Sequence, residues 1–332
     1  MKSRMDPAGL FWVIVCACLW ASACAQREPA ATVFVEDRAG LLSEDEEASV
    51  AGWHAALLAQ HDIDDRVLTV AGPTDLSALA LRHFDEAEVG RHSRTGRGLL
   101  LVIDADSERV RLEVARELES VFVDSFVAYV EREQMVPFLA AGRVGDGLVA
   151  ASELIAGRAE EAIASEALDD RAAIASTAGG GAESRAGVGH GYERPTARAE
   201  AGGAAQTSPL ETVAAYLAAM AAHEASPDLD LYTPETRAML SGHVVTRAQM
   251  DNLVRTYRDC PAAQVSEQGG FAVVEHPGDS GRCAPWFLAR GPDGLWRLDL
   301  LVMQRAVRFD TRNRWRVAAP ENLGDFAFAF DR

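Results

Sequence analysis

Apolar residues at Val50, Trp53, Leu57 and Leu58 recur at helical intervals, and Ser43 with Glu46 three positions on forms a capping box ahead of them. That predicts a helix opening at Ser43 with one buried face. Val33–Val35 before it and Val67–Ala71 after it read as strands, and Leu76–Phe84 as a second helix. Leu99–Ile103 is an unbroken apolar run, the pattern of a strand covered on both faces. Val110, Leu112 and Val114 alternate with Arg111 and Glu113, which predicts a half-buried strand paired with it across Asp106-Ser107-Glu108. Leu118, Val121, Phe122, Phe126 and Val130 return to helical spacing, and a last helix runs from about Asp146 to Gly157. Helices interleaved with strands predict an α/β layered domain over residues 30–158.

The pattern then fades. Residues 159–208 shift to Ala, Gly, Ser and Glu, with Gly179-Gly180-Gly181 and Gly202-Gly203, and read as a linker. Ala159–Ala173 suits an extension of the preceding helix, and the remaining ~35 residues would span about 30 Å as a flexible coil. Patterning resumes over 209–332. Ser208-Pro209-Leu210-Glu211 predicts a capped helix whose apolar face is Val213, Tyr216, Leu217 and Met220. Thr233-Pro234 opens a second, stopping near Gly242, and Thr246 with Gln249 a third. Strands are predicted at Ala272–Glu275, Ala284–Arg290, Leu295–Met303 and about Trp315–Ala318, with Gly291–Gly294 as a turn. Helices followed by an antiparallel sheet describe a smaller α+β domain, and the order resembles nuclear transport factor 2-like, or cystatin-like, domains.

The first residues change the picture of where the protein lives. Lys2 and Arg4 precede an uncharged apolar run, Leu10–Ala21, too short to cross a bilayer, and small residues lead to Cys24. This reads as a secretory signal over residues 1–23. The small residues before Cys24 resemble a bacterial lipoprotein signal, which implies lipidation of Cys24, although Ala21 stands where such signals prefer leucine. Ordinary cleavage next to Ala23 or Ala25, and an uncleaved anchor, are the alternatives. Ala25 resembles outer-membrane sorting. The expectation is a bacterial envelope protein, anchored by an N-terminal lipid and facing the periplasm, or a secreted one. Cys16 and Cys18 would be discarded with the signal, leaving Cys260 and Cys283 as an even pair that can form a disulfide in an oxidising compartment. Two buried free thiols are the alternative, and two cysteines so far apart make no zinc site.

The chain carries 32 basic and 50 acidic residues, a formal charge of −18, and Lys2 is its sole lysine. So acidic a protein has little electrostatic reason to bind nucleic acid. Losing Lys2 with the signal also excludes P-loop phosphate binding and Schiff-base chemistry.

Val35-Glu36-Asp37-Arg38-Ala39-Gly40-Leu41-Leu42-Ser43 resembles the opening of the TPM family. The likeness continues through Leu99–Ile103, Val110–Val114, Leu118-Glu119 with Asp124, Glu133-Gln134-Met135-Val136-Pro137-Phe138, and Gly142 with Gly145-Asp146-Gly147. It covers residues 33–158. The resemblance implies a calcium-associated fold, weak phosphatase activity in some members, and an accessory role in membrane complexes in others. Two departures stand out. Gly96-Arg97-Gly98 replaces the family's Asp-Asn-Gly, and Ala115-Arg116-Glu117-Leu118-Glu119-Ser120 replaces a glycine-rich turn. Of the acidic ligands the resemblance implies, Asp37, Glu119 and Asp124 have counterparts here. Calcium wants six to eight oxygens. The expectation is a degraded metal site in which Arg97 pairs with those carboxylates in the ion's place; no cofactor is expected, calcium being the one candidate.

Other signatures are weaker. Gly278-Asp279-Ser280-Gly281 copies a serine-protease nucleophile motif, but His223 falls in an alanine-rich helix and the domain is too short for two barrels. Asp228-Leu229-Asp230 lies in a loop, His223-Glu224 lacks a second histidine four residues on, and Arg290 is misplaced for a cysteine-phosphatase loop at Cys283. His54, His61, His83 and His92 have no metal-ligand spacing and read mostly as surface residues. Arg305, Arg308, Arg312, Arg314 and Arg316 around Trp315 form a basic stretch that suits an anionic partner such as a lipid headgroup or an acidic protein face. The sequence therefore points to a non-catalytic accessory or scaffold of a membrane-associated complex. A metal-dependent phosphatase using the TPM carboxylates is the alternative, and a small-molecule binder using the C-terminal domain a second.

Overall fold

The computed structural model describes residues 33–72, 75–164, 178–185, 192–196, 203–278, 281–310 and 314–330. The segment read as a signal, with Cys24, the Asp279-Ser280 pair and Arg312 lie outside the described residues.

The chain enters β1 (Val35–Asp37) and then α1 (Glu44–His61). The capping box is present: Ser43 Oγ accepts from the Glu46 N–H, and the Glu46 carboxylate accepts from the Ser43 N–H. Four acidic residues in the first turn suit the positive end of the helix. Asp62, in a left-handed conformation (φ 55°), ends it. β2 (Asp64–Val70), α2 (Leu76–Glu86), β3 (Gly98–Asp104) and β4 (Arg109–Ala115) follow. β1, β2 and β3 are parallel, and β4 runs antiparallel to β3. β3 is the centre. Its Leu99, Leu101 and Ile103 face α1 and α5 (Val144–Ala164), while Leu100 and Val102 face Leu76, Ala80 and Phe84 of α2. Helices on both faces explain why that strand reads as a continuous apolar run. Gly98 has no room for a side chain, because a Cβ would come within 2.9 Å of Val89 and Gly90 backbone atoms.

Several expectations need correction. β2 starts at Asp64, three residues early, because Asp64, Asp65 and Arg66 are charged yet held: Asp64 accepts from Arg66 and from the Gly90 and His92 N–H groups. The helix expected across Leu118–Val130 is broken into a 3₁₀ turn (Arg116–Leu118), α3 (Asp124–Tyr129), a π-helical stretch (Val130–Met135) and α4 (Val136–Ala140). Pro137 has no N–H to close onto the Glu133 carbonyl, which favours the wider turn before it.

The segment read as a linker is partly structured. α5 runs seven residues past Gly157, and Ala178–Arg185 forms β5, antiparallel to β4. Triple glycine carries no side-chain pattern, but strand pairing needs only backbone groups, and β5 covers an edge of β4 that would otherwise be open. Further on, the Tyr192 hydroxyl donates to the Val245 carbonyl and accepts from the Val245 N–H, both at 2.8 Å. Arg194 Nη2 donates to the Leu240 and His243 carbonyls, each at 2.7 Å.

The C-terminal part holds α6 (Pro209–Ala221), α7 (Pro234–Ser241), α8 (Arg247–Arg258) and an antiparallel sheet of β6 (Gln264–Gln268), β7 (Phe271–Glu275), β8 (Trp286–Arg290) and β9 (Trp296–Leu298). The α8 capping box between Thr246 and Gln249 is formed, whereas Ser208 makes no side-chain cap bond to α6. The strand expected over Leu295–Met303 stops at Leu298: Asp299 accepts from the Val302 N–H and opens α9 (Leu300–Ala306). β10 (Val307–Phe309) and β11 (Trp315–Val317) then pair as a short ribbon. One sheet face packs on Val213, Tyr216 and Met250, and the other beneath Leu323 and Phe326 of the C-terminal segment. A disulfide joins Cys260 after α8 to Cys283 before β8.

Candidate functional site

Asp37 ends β1, where the chain turns toward α1. One carboxylate oxygen accepts from the Leu41 N–H at 3.1 Å and from the Thr69 hydroxyl, and the other from the Leu42 N–H at 2.9 Å. These bonds outweigh burial and hold its carboxyl below the usual range. Asp37 is thereby a turn anchor with both oxygens engaged.

Strand register decides whether the other candidates can join it. Asp37 lies opposite Thr69, whereas Arg97 immediately precedes Gly98, which pairs with Asp64. Thr69 is five residues beyond Asp64 and Arg97 one residue before Gly98, so Asp37 and Arg97 sit at opposite ends of the sheet, six strand positions or about 20 Å apart along the strands. β4 ends beside Leu99, so Glu119, four residues past the strand, follows it at the Arg97 end; Glu119 and Asp124 are both exposed. Asp37 and Arg97 therefore do not meet, and Arg97 does not pair with Asp37 in an ion's place. Arg97 is buried; its Nη1 donates to the His61 carbonyl at 3.4 Å and its N–H to Ser93 Oγ at 3.0 Å. Among the described residues no three His, Cys, Asp or Glu side chains gather as a metal site.

The Arg97 end of the sheet holds a polar cluster that hydrophobic patterning does not reveal. Asp62 accepts from the Arg94 and Thr95 N–H groups and from the Ser93 and Thr95 hydroxyls, tying down the loop before β3. Those bonds hold its carboxyl low against burial. His54 Nε2 lies 3.2 Å from Asp65 Oδ2, both side chains almost fully buried. Burial pulls His54 down to about 4 and, with Asp64 beside it, pushes Asp65 well up. His54 and His61 are thus interior residues rather than surface ones, while His92 is exposed. The signal available in sequence is the placing of His54 on the apolar face of α1, between Val50 and Leu57.

The arginine stretch is exposed at Arg305, Arg308, Arg314 and Arg316. Arg308 and Arg316 sit directly opposite each other on β10 and β11, an arrangement like charges disfavour. Arg308 Nη1 donates to the Gln304 and Val307 carbonyls at the end of α9, which offsets part of that cost.

The third cluster joins the two halves of the chain. The Tyr129 hydroxyl donates to Asp251 Oδ2 at 2.8 Å, and Asp251 Oδ1 meets His223 Nε2 at 2.7 Å. His223 lies past the end of α6 in a left-handed conformation (φ 57°), not within a helix as its sequence suggests. Burial, with Asp251 as bond partner and neighbouring charge, pushes Tyr129 well above the ordinary phenol range. Nearby, the Thr246 hydroxyl donates to the Gln134 amide oxygen, and Ala248 enters the apolar core of the N-terminal half. The π-helical stretch is where α8 docks. In the C-terminal half, the sheet face that would cup a ligand is filled by Tyr216, Tyr257 and Trp286, with the two tyrosine ring centroids 5.3 and 4.6 Å from that of Trp286.

Comparison with known proteins bears on the N-terminal half. Residues 35–158 match the family described as TPM domain. A solved structure, the solution NMR structure of the N-terminal domain of a protein from P. gingivalis, is similar at 29% identity over 39% of this chain and 85% of that one, with a TM-score of 0.35. No curated protein matches.

Proposed function

Residues 35–158 being a TPM domain, we propose that the chain is an exported envelope lipoprotein, anchored through Cys24, that serves as a non-catalytic accessory of a membrane-associated complex. The observation that carries this reading is the state of Asp37. Its oxygens accept from Leu41, Leu42 and Thr69, and Glu119 follows β4 at the other end of the sheet. A group so engaged holds a turn, which speaks against its polarising a phosphoryl oxygen through an ion. The Cys260–Cys283 bridge supports an oxidising compartment. The exposed arginines of α9, β10 and β11 support an anionic partner, a lipid headgroup or an acidic protein face, and the −18 charge speaks against nucleic acid.

The test is a phosphomonoester hydrolysis assay on the purified chain with Ca²⁺, Mg²⁺ and EDTA, beside membrane fractionation of wild type and Cys24→Ser. The expected result is no metal-dependent turnover, with Cys24→Ser released from the membrane fraction. Robust turnover that needs the metal and disappears in Glu119→Gln would establish the phosphatase reading in its stead.

A further inference from the structure

Between the end of α1, the end of α5 and the loops flanking β8 and β11 lies a cavity of about 430 Å³, lined by Ala59, Gln60, His61, Glu160, Arg282 and Arg314. We infer that it is a binding site for a small molecule bearing an oxyanion, held between the Arg282 and Arg314 guanidinium groups and facing His61.

The backbone itself brings the two arginines together. Gly281 turns the chain in a conformation that favours glycine (φ 91°), and its carbonyl accepts from the Trp315 N–H at 2.7 Å, so Arg282 and Arg314 branch from two segments tied at that point. The disulfide at Cys283 secures the same loop from the other side. Two arginines lining one volume suit a carboxylate or phosphate, which guanidinium groups can grip through paired N–H donors. Arg282 is partly neutralised by Glu160, at 3.2 Å, which leaves the pocket with a net positive balance in a strongly acidic protein.

His61 closes one side of the cavity and is 8% exposed. Burial pulls its pKa below the ordinary value. The end of a helix would ordinarily repel an anion, but three carbonyls there are engaged: Leu58 accepts from the Asp62 N–H, Leu57 from the Ile63 N–H and His61 from Arg97. The volume is within the ordinary range for small-ligand pockets. The site stands whether or not the chain is an envelope lipoprotein.

The experiment is calorimetric titration of the purified full chain with inorganic phosphate, with succinate, and with glycerol as the uncharged control. One oxyanion should bind with a Kd of about 1 mM or tighter, and glycerol should not. Binding by phosphate alone identifies a phosphorylated ligand, and binding by succinate alone a carboxylate. Arg314→Gln and Arg282→Gln should each weaken binding roughly tenfold. Glu160→Gln should strengthen it severalfold, an effect that misfolding would not produce. No binding by either anion, binding that survives both arginine substitutions, or weaker binding in Glu160→Gln would each overturn the assignment.

Discussion

The Thr246 hydroxyl donates to the amide oxygen of Gln134 at 2.7 Å, and both residues are fully buried where the N- and C-terminal halves of the chain meet. The same hydroxyl accepts from the Gln249 N–H, so one atom both starts α8 and fastens it to the π-helical stretch. Thr246→Val should therefore cost about 1–3 kcal/mol, losing a helix cap and stranding the amide of Gln134. Gln134 Nε2 already lacks a partner, so Gln134→Leu should cost less. Urea melts of the two variants check the order; equal losses would show that the hydroxyl has no double duty.

Glu153 lies half-buried on α5, and burial pushes its carboxyl from 4.5 up to about 7. A carboxyl raised in the folded state binds its proton more tightly there than when unfolded. Its contribution favours folding at low pH and is lost as pH rises from about 4.5 through about 7. Glu153→Gln should thus stabilise the protein at pH 8 by about 1–3 kcal/mol, and the gain should vanish below about pH 5. Thermal melts across that range provide the measurement.

Asp37 has the opposite sign. Its pKa is lowered in the fold, so the stability it brings is complete above 3.8 and is lost as pH falls through the depressed value. Asp37→Asn should cost about 1–3 kcal/mol at neutral pH and flatten the acid limb of the stability curve. Calcium at micromolar levels should move the melting temperature of neither protein. Marked stabilisation of the wild type, absent from the variant, would restore Asp37 as a ligand.

Gly98→Ala tests the close approach at the start of β3. Its Cβ would meet backbone atoms that have no rotamer to escape into. A loss of about 1–3 kcal/mol is expected, read as an earlier denaturant midpoint with an unchanged slope.

The strongly periodic parts of the fold are legible in the sequence. Leu99–Ile103 reveals the central strand and Ser43 with Glu46 the first helix, because burial and capping leave local marks. Three kinds of structure leave none. β5 is glycine-rich and held by backbone bonds, Asp64-Asp65-Arg66 form a strand whose charges are answered by one another and by groups distant in sequence, and Asp299 turns a strand into a helix with one cap. The candidate metal set is a related case. Resemblance groups Asp37, Glu119 and Asp124, but only strand register reveals that β1 delivers its acid to one end of the sheet while β4 exits at the other.

Ala248 sits in the core of the half to which it does not belong in sequence. Cutting the chain after α5 to obtain a tidy module would leave a greasy notch on one piece and an unseated helix on the other. Fragments made that way would be sticky and would seek each other. Supplying the missing piece in trans, rather than lengthening either end, is what would make such a truncation well behaved again.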